Sequence, residues 1–341
     1  MQALNLSADD LLRILACFGL DDGPATVVST GAGTASPAIV VDTASGRVYL
    51  KRRNPRYCDE QWILYDAAVA DHLLAAAVPV APPMTALDGR PWAEVDGHVY
   101  QVSAWIPGER VAVPTLAQLA SVSRVLTRWH AATSTWRPPF TKPVGRLHDP
   151  LLSADGLAVF AEEATSAVHR RILIEARSWA LRCAEALPDD AYWSLPQAIV
   201  QGDVHSQNLH FVGDEVVCLL DYDWVCPAPR IVDLADAILY LGGLRPGPLV
   251  EADIRSLTRV FTLPVERVAA LLDAYGELSC DERAALPWLM LARWLYSRVD
   301  AAQRKVAPAE RLSYLTTGYL ESIGEMSSTL TALGFEAFTS R

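Results

Sequence analysis

Positive charge is scarce in this 341-residue chain: 29 lysines and arginines stand against 40 acidic residues, for a net charge of −11. Nucleic acid or an anionic membrane would demand a basic face, so neither is expected as a partner. Lysine is rarer still, occurring only as Lys51, Lys142 and Lys305; where arginine is the habitual cation, a lysine at the end of a strand stands out. Cys17, Cys58, Cys183, Cys218, Cys226 and Cys280 are scattered without C-x-x-C spacing, which excludes a zinc ribbon and gives no disulfide framework. No apolar run is long enough to span a bilayer, and the opening Met-Gln-Ala-Leu-Asn-Leu lacks the basic and apolar regions of a secretory signal. A reduced, cytoplasmic protein without internal repeats is expected. Half of the chain is apolar, ample for a core, and its length exceeds what one core usually serves, so two lobes are expected.

The most informative stretch is Ala198–Ala235, AIVQGDVHSQNLHFVGDEVVCLLDYDWVCPAPRIVDLA. Asp203 and Asn208 stand at the D-x-x-x-x-N spacing of the protein-kinase catalytic loop, where the Asp takes a proton from the acceptor hydroxyl and the Asn holds magnesium. The apolar run Val216–Leu220 reads as a strand that delivers Asp221 to the same place as a second metal carboxylate. Phosphoryl transfer asks little covalent work of a protein: donor and acceptor held in line, charge neutralised, one proton accepted. Magnesium keeps several waters and takes phosphate oxygens, so one carboxylate and one amide oxygen suffice. Gly-Asp alone is an ordinary loop dipeptide; the ordered set of three carries the reading. GDVH also fits the GDxH of metallophosphoesterases, but the D-x-H and G-N-H-[DE] partners of that chemistry are absent.

The segment Gln201–Asn208 resembles the HGDxHxxN loop of the aminoglycoside phosphotransferase and choline kinase superfamily, Leu220-Asp221-Tyr222-Asp223-Trp224 its I-D-[FWY]-[DE] strand end, and Pro229–Ala235 its P-x-x-D-L-A segment. Similarity runs over nearly the whole chain and is nearest to the bacterial group of spectinomycin phosphotransferase, type II homoserine kinases and spore-coat kinase-like proteins. The resemblance implies an α+β, bilobal, protein-kinase-like fold: an N-terminal antiparallel β lobe over residues 1–103 and a larger, mainly helical lobe over 104–341. Asp203 is then the catalytic base, with Asn208 and Asp221 on Mg2+. In Leu50-Lys51, Lys51 holds the nucleotide phosphates; strand alternation turns Arg52 to the opposite face. Asp66, on a helix over about 59–76, falls where the family has the Glu that orients that lysine, with Glu60 the alternative. Gly31 and Gly33 lie in a turn whose N–H groups would cover phosphates, though hairpins use glycine too. Ser103 and Trp105, in Ser103–Glu109, resemble the hinge that meets the nucleobase through its backbone.

His205 is read as a loop-packing residue, Asp223 as either helping the metal loop or capping the strand end, and Asp233 as a structural carboxylate that opens a helix and braces the catalytic loop. His130 is a buried, satisfied histidine. Asp236 and Asp300 are acidic candidates for the substrate cleft. Two departures stand out: Gln201 replaces the usual His, as an anchor rather than a reactant, and Asp221-Tyr222-Asp223 lacks the glycine of the kinase DFG turn, which implies a fixed metal loop.

The expected activity is ATP- or GTP-dependent, Mg2+-dependent transfer to a hydroxyl of a small, cationic molecule by a monomer or homodimer, with an antibiotic as the preferred acceptor. A metabolic kinase for homoserine, an amino-alcohol or a sugar, and a non-catalytic binding protein on the same fold, are the alternatives, since fold does not set substrate. Helices are expected at 6–18, 115–132, 154–168, 170–187, 231–241, 250–260, 264–275, 281–301 and 309–333, and hairpins at Asp88-Gly89 and Asp96-Gly97.

Overall fold

Ser7 accepts a hydrogen bond from Asp10 N (3.1 Å) and caps α1 (Ala8–Ala16), whose Leu11, Ile14 and Leu15 are buried. A computed structural model describes residues 4–31, 36–247, 250, 253–336 and 338. After α1 come β1 (Thr26–Gly31), β2 (Ala38–Thr43), β3 (Gly46–Arg52), α2 (Glu60–Ala75), β4 (Ala93–Val95) and β5 (His98–Ala104). The strands form one antiparallel sheet in the order β1-β2-β3-β5-β4. Alternation along β3 sends Val48 and Leu50 into a small core with Ile39, Val41, Val102 and the apolar face of α1. Tyr49, Lys51 and, just past the strand, Arg53 line the cleft instead.

The remaining elements are α3 (Leu116–Thr133), α4 (Pro150–Glu163), α5 (Ala167–Ala186), α6 (Asp189–Ser194), β6 (Gln197–Val200), β7 (Leu209–Val212), β8 (Glu215–Leu219), β9 (Cys226–Pro229), α7 (Ile231–Ala237), α8 (Ile254–Leu257), α9 (Val265–Tyr275), α10 (Cys280–Arg304), α11 (Arg311–Thr316) and α12 (Tyr319–Ala332). They surround a second, larger core. Tyr65, Val69 and Leu73 of α2 belong to that larger core, so α2 packs with the helical part although it precedes β5.

Two short ribbons, β6 with β9 and β7 with β8, carry the segment that holds Asp203, Asn208 and Asp221, and α3 braces both. Thr115 and Gln118 form a capping box at its start, and Gln118 Nε2 also donates to Gly213 O in the β7–β8 turn (2.8 Å). Further along, Ser121 Oγ accepts from Val216 N (3.0 Å) and Trp129 Nε1 donates to Ile199 O (2.7 Å). These bonds set the height of the loops that follow β6 and β8.

Most expected elements form, with local differences. Residues 84–87 are not a strand: Met84 makes one ladder bond, to Val102 O, and Leu87 N donates instead to Cys17 O at the end of α1. The helix expected over 231–241 changes at Ala237 to a wider π-turn, Ile238–Gly242. That expected over 250–260 is the single turn α8 among the described residues. The helix expected over 309–333 splits into α11 and α12 because Gly318 adopts a left-handed φ of 64°. A Cβ at Gly318 would lie 1.7 Å from Val260 Cγ2. Gly318→Ala should therefore destabilise the protein by roughly 1–3 kcal/mol, read as a lower midpoint of urea unfolding; an unchanged midpoint would mean that the α11–α12 break tolerates a side chain.

Candidate active site

β6 ends at Val200, and the chain turns at Gly202 (φ 78°), where a Cβ would meet Trp224 O at 2.7 Å. Two consecutive N–H groups of this turn, Gln201 and Gly202, each donate to the buried carboxylate of Asp233 at 2.8 Å. His130 Nε2 reaches the same carboxylate at 2.8 Å, and its Nδ1 pairs with Tyr275 OH at 2.9 Å. Asp233 thus braces the loop after β6 from inside the first turn of α7, which begins at Ile231 as expected. His130 is buried and satisfied.

Gln201 joins two loops. Its Oε1 accepts from Asp203 N (2.8 Å), while its Nε2 donates to Leu220 O (3.1 Å) and Asp221 O (2.8 Å). An amide supplies donor and acceptor at once without titrating, which explains how Gln serves where the family has His. Asp203 and Asp221 line the same cleft.

The Asp203 carboxylate is held on both sides. Arg293 Nη2 of α10 donates to Oδ1 at 2.8 Å, and His205 Nε2 lies 3.3 Å from Oδ2. Burial alone would raise the Asp203 pKa; His205 and Arg293 outweigh it and hold the carboxyl well below the usual range. His205 Nδ1 accepts from Gln207 N (3.2 Å), so the ring is fixed within its own loop. Asn208 Nδ2 donates to Asp203 O (2.9 Å), leaving the amide oxygen as the end available to a cation.

Behind Arg293 stand Asp236 Oδ1 at 3.0 Å from Nε, His148 Nε2 at 2.8 Å from Nη1, and the Tyr240 ring. Asp236, expected in the substrate cleft, is instead fully buried, and that burial pushes its carboxyl well above the usual range. Its position on the inner face of α7 points it at Arg293 rather than at a ligand. Asp300 lies two turns beyond Arg293 on α10, partly exposed and paired with Arg304 (2.8 Å), so it shares the helix face that carries Arg293.

β8 leads to Asp221, which takes a left-handed φ of 64°, a conformation that Asp tolerates better than most residues. Its Oδ1 accepts from Lys51 Nζ (2.9 Å) and Asp223 N (3.1 Å). Lys51 also reaches Asp223 Oδ2 at 3.0 Å, where Ser36 Oγ donates at 3.0 Å. Burial would lower the pKa of Lys51, but the two carboxylates more than reverse it.

The expected Lys51–Asp66 pair is not what the structure shows. Asp66 accepts from Lys142 Nζ at Oδ1 (2.7 Å) and from Arg53 Nη2 at Oδ2 (2.9 Å). Aspartate is one methylene shorter than the family's glutamate, and α2 turns its carboxylate to these two cations. Arg53 also donates to Gln101 Oε1 (2.9 Å) and Tyr57 O (3.0 Å) and lies 3.3 Å from Asp223 Oδ1. Strand alternation already puts Arg53 on the face of Lys51. Lys142, Arg293 and His148 come from distant segments and left no local signal beyond the rarity of lysine.

The cleft encloses about 970 Å³, its mouth included, between Tyr49, Ala81, Pro83, Val102 and Ser103 on the sheet side and Asp203, Asn208 and Asp221 below. Ser103 lines it. Trp105 does not offer its N–H to a base: that group donates to Arg47 O (3.1 Å), continuing the β3–β5 ladder, and the ring tilts onto His210. Gly31 ends β1, and Gly33 lies outside the described residues.

The donor set fits a hard divalent cation. Asp221 keeps Oδ2 clear of the bonds on Oδ1, and the Asn208 amide oxygen completes one carboxylate and one amide. Among the described residues no three His, Cys, Asp or Glu side chains gather as an all-protein metal cage, in keeping with a cation that takes its other ligands from phosphates and water.

A five-stranded sheet over a helical body, with this cleft between, is the kinase-like fold of small-molecule phosphotransferases. The model of the phosphotransferase enzyme family matches residues 27–286, and the chain belongs to that family. It is similar to the homoserine kinase of Bradyrhizobium sp. (26 % identical over 264 residues, 74 % of this chain and 73 % of that one). Its fold is similar to an aminoglycoside phosphotransferase from Alicyclobacillus acidocaldarius (TM-score 0.67, 16 % identity, 98 % and 97 % of the two chains). It also resembles spectinomycin phosphotransferase in complex with ADP and spectinomycin (TM-score 0.63, 14 % identity, 98 % and 99 % covered). The chain is a phosphotransferase that acts on a hydroxyl of a small molecule.

Asp233→Ala would strand two backbone N–H groups and His130 in a fully buried setting. Removing one partner of such a cluster costs about 3–5 kcal/mol, measurable by chemical unfolding; a loss within experimental scatter would show that the loop does not depend on this carboxylate.

Proposed function

We propose that the protein transfers the γ-phosphoryl group of ATP to the hydroxyl of a small amine-bearing acceptor, with Mg2+ held by Asn208 and Asp221. The observation that carries this reading is the convergence of Asp203, Asn208, Asp221 and Lys51 on one cleft. The bound cation would neutralise charge on the phosphate oxygens. Asp203, fixed by Arg293 and His205, orients the acceptor hydroxyl and takes its proton as the new O–P bond forms and the bond to ADP breaks. Lys51 exchanges its contact with Asp221 for the phosphates, and Asp223 keeps it in reach. GTP would meet the same phosphate groups.

For the acceptor, an amino-alcohol of the homoserine kind is the first choice. Similarity to a homoserine kinase over three quarters of the chain supports it. Asp300 supports it as well, since a partly exposed carboxylate on the Arg293 face of α10, now paired with Arg304, suits an ammonium group. An antibiotic acceptor is the second arm of the test, because likeness to the antibiotic phosphotransferases is one of fold. ADP release measured with L-homoserine, aminopropanol, spectinomycin and an aminoglycoside should show turnover with the first two; turnover with the antibiotics alone would reverse the order.

Asp203→Asn should lower turnover by roughly 10²–10⁴-fold while nucleotide affinity is kept. Full turnover in this variant would remove Asp203 as the base. Asp221→Ala should weaken binding of Mg·nucleotide in calorimetry, and a wild-type titration would exclude Asp221 as the cation ligand.

A further inference from the structure

Four consecutive carbonyls of the metal loop accept bonds from just two side chains. Gln201 Nε2 takes Leu220 O and Asp221 O, and Lys142 Nζ takes Tyr222 O (3.3 Å) and Asp223 O (2.9 Å). Lys142 spends its third donor on Asp66 Oδ1 (2.7 Å), so an ammonium with three N–H groups meets three acceptors. Its side chain is 1 % exposed, shut off from bulk water. Backbone stiffness adds to this: Lys142 precedes Pro143 in the proline-rich segment Pro138–Pro143, and a residue before proline is restricted to extended conformations. The lysine is thus presented to the loop from a rigid arm between α3 and α4.

The consequence concerns Asp221. A non-glycine residue at φ 64° is not in its preferred state and persists only where its surroundings over-determine it. Gln201 fixes its own carbonyl, and Lys142 fixes the next two peptide groups, so the direction of the Asp221 carboxylate is set from both ends. Asp66 carries the connection to α2 and, through Arg53, to β3.

We propose that Lys142 is a positioning residue for the cation site: by clamping the carbonyls of residues 222 and 223 against Asp66, it holds Asp221 in the left-handed conformation in which its carboxylate and the Asn208 amide can share Mg2+. The inference rests on the assignment of Asp221 and Asn208 to the cation. Lys142 touches neither nucleotide nor acceptor in this role; it acts through the loop.

The test is calorimetric titration of the full chain with AMP-PNP, once in magnesium and once in EDTA, alongside thermal melting. In wild type the difference between the two titrations measures the cation's contribution. K142M should cut affinity in magnesium about 10- to 100-fold, the range for losing a partner that orients a metal ligand, and leave affinity in EDTA unchanged. A folded K142M that keeps the wild-type magnesium gain, or loses affinity equally in EDTA, overturns the proposal. Should K142M fail to fold, K142Q, which retains an N–H donor without the charge, decides on the same terms; failure of both to fold assigns Lys142 to the fold alone and overturns it too. No magnesium gain in wild type would instead overturn the cation site itself, and this inference with it.

Discussion

Charges that have lost their water must find one another, and in this protein that necessity organises the cleft. Asp66, Arg53, Lys142 and Asp223 have side chains 1–2 % exposed, where an unpaired ion costs several kcal/mol. No member is satisfied by one neighbour. Asp66 needs Arg53 and Lys142, Asp223 needs Lys51, Arg53 and Ser36, and Lys142 completes its donors on two carbonyls of the metal loop. Such a network adds less to net stability than its bond count implies, because desolvation offsets much of the gain. Its geometric effect is larger: β3, α2, the segment before α4 and the loop after β8 can meet in one way only.

A second buried group does for Asp203 what the first does for Lys51 and Asp221. Arg293 reaches Asp203 from α10 and is itself held by Asp236, His148 and the Tyr240 ring. An arginine fork suits this task, since its planar donors fix direction as well as charge. The two groups touch through Gln201, whose amide joins the backbone of Asp203 to that of Asp221. The proposed base and the proposed cation ligand are therefore parts of one hydrogen-bonded frame, and catalysis by positioning asks for such a frame.

Much of this was legible in the linear chain where the information was local. The spacing of Asp203 and Asn208, the apolar run before Asp221 and the alternation that turns Lys51 to the cleft are each written in a short run of neighbouring residues. The helices expected over 6–18 and 115–132 were of the same kind, and the structure caps them at Ser7 and Thr115. What stayed hidden depended on distant partners. Lys142 is 76 positions from Asp66, and Arg293 is 90 from Asp203; no periodicity links them. The partner of Asp66 was misread because the family's lysine–glutamate pair was carried over to a shorter side chain. Trp105 was placed against a base because the continuation of the sheet ladder past Ala104 has no signature in sequence. The break before α12 turned on one glycine at a left-handed φ with Val260 packed where a Cβ would stand, a contact that helical periodicity does not register.

The shared carboxylate on α2 has a bearing on how this chain can drift during evolution. Asp66 and Lys142 lie in different elements, yet losing either alone takes from the other one of its buried partners. A lengthened acid at position 66 would have to displace the ammonium that now fills the space before it. Relatives of this protein should therefore retain the two together or exchange them together, and that correlated change would separate its lineage from those in which an acid at this helical position faces the strand lysine instead.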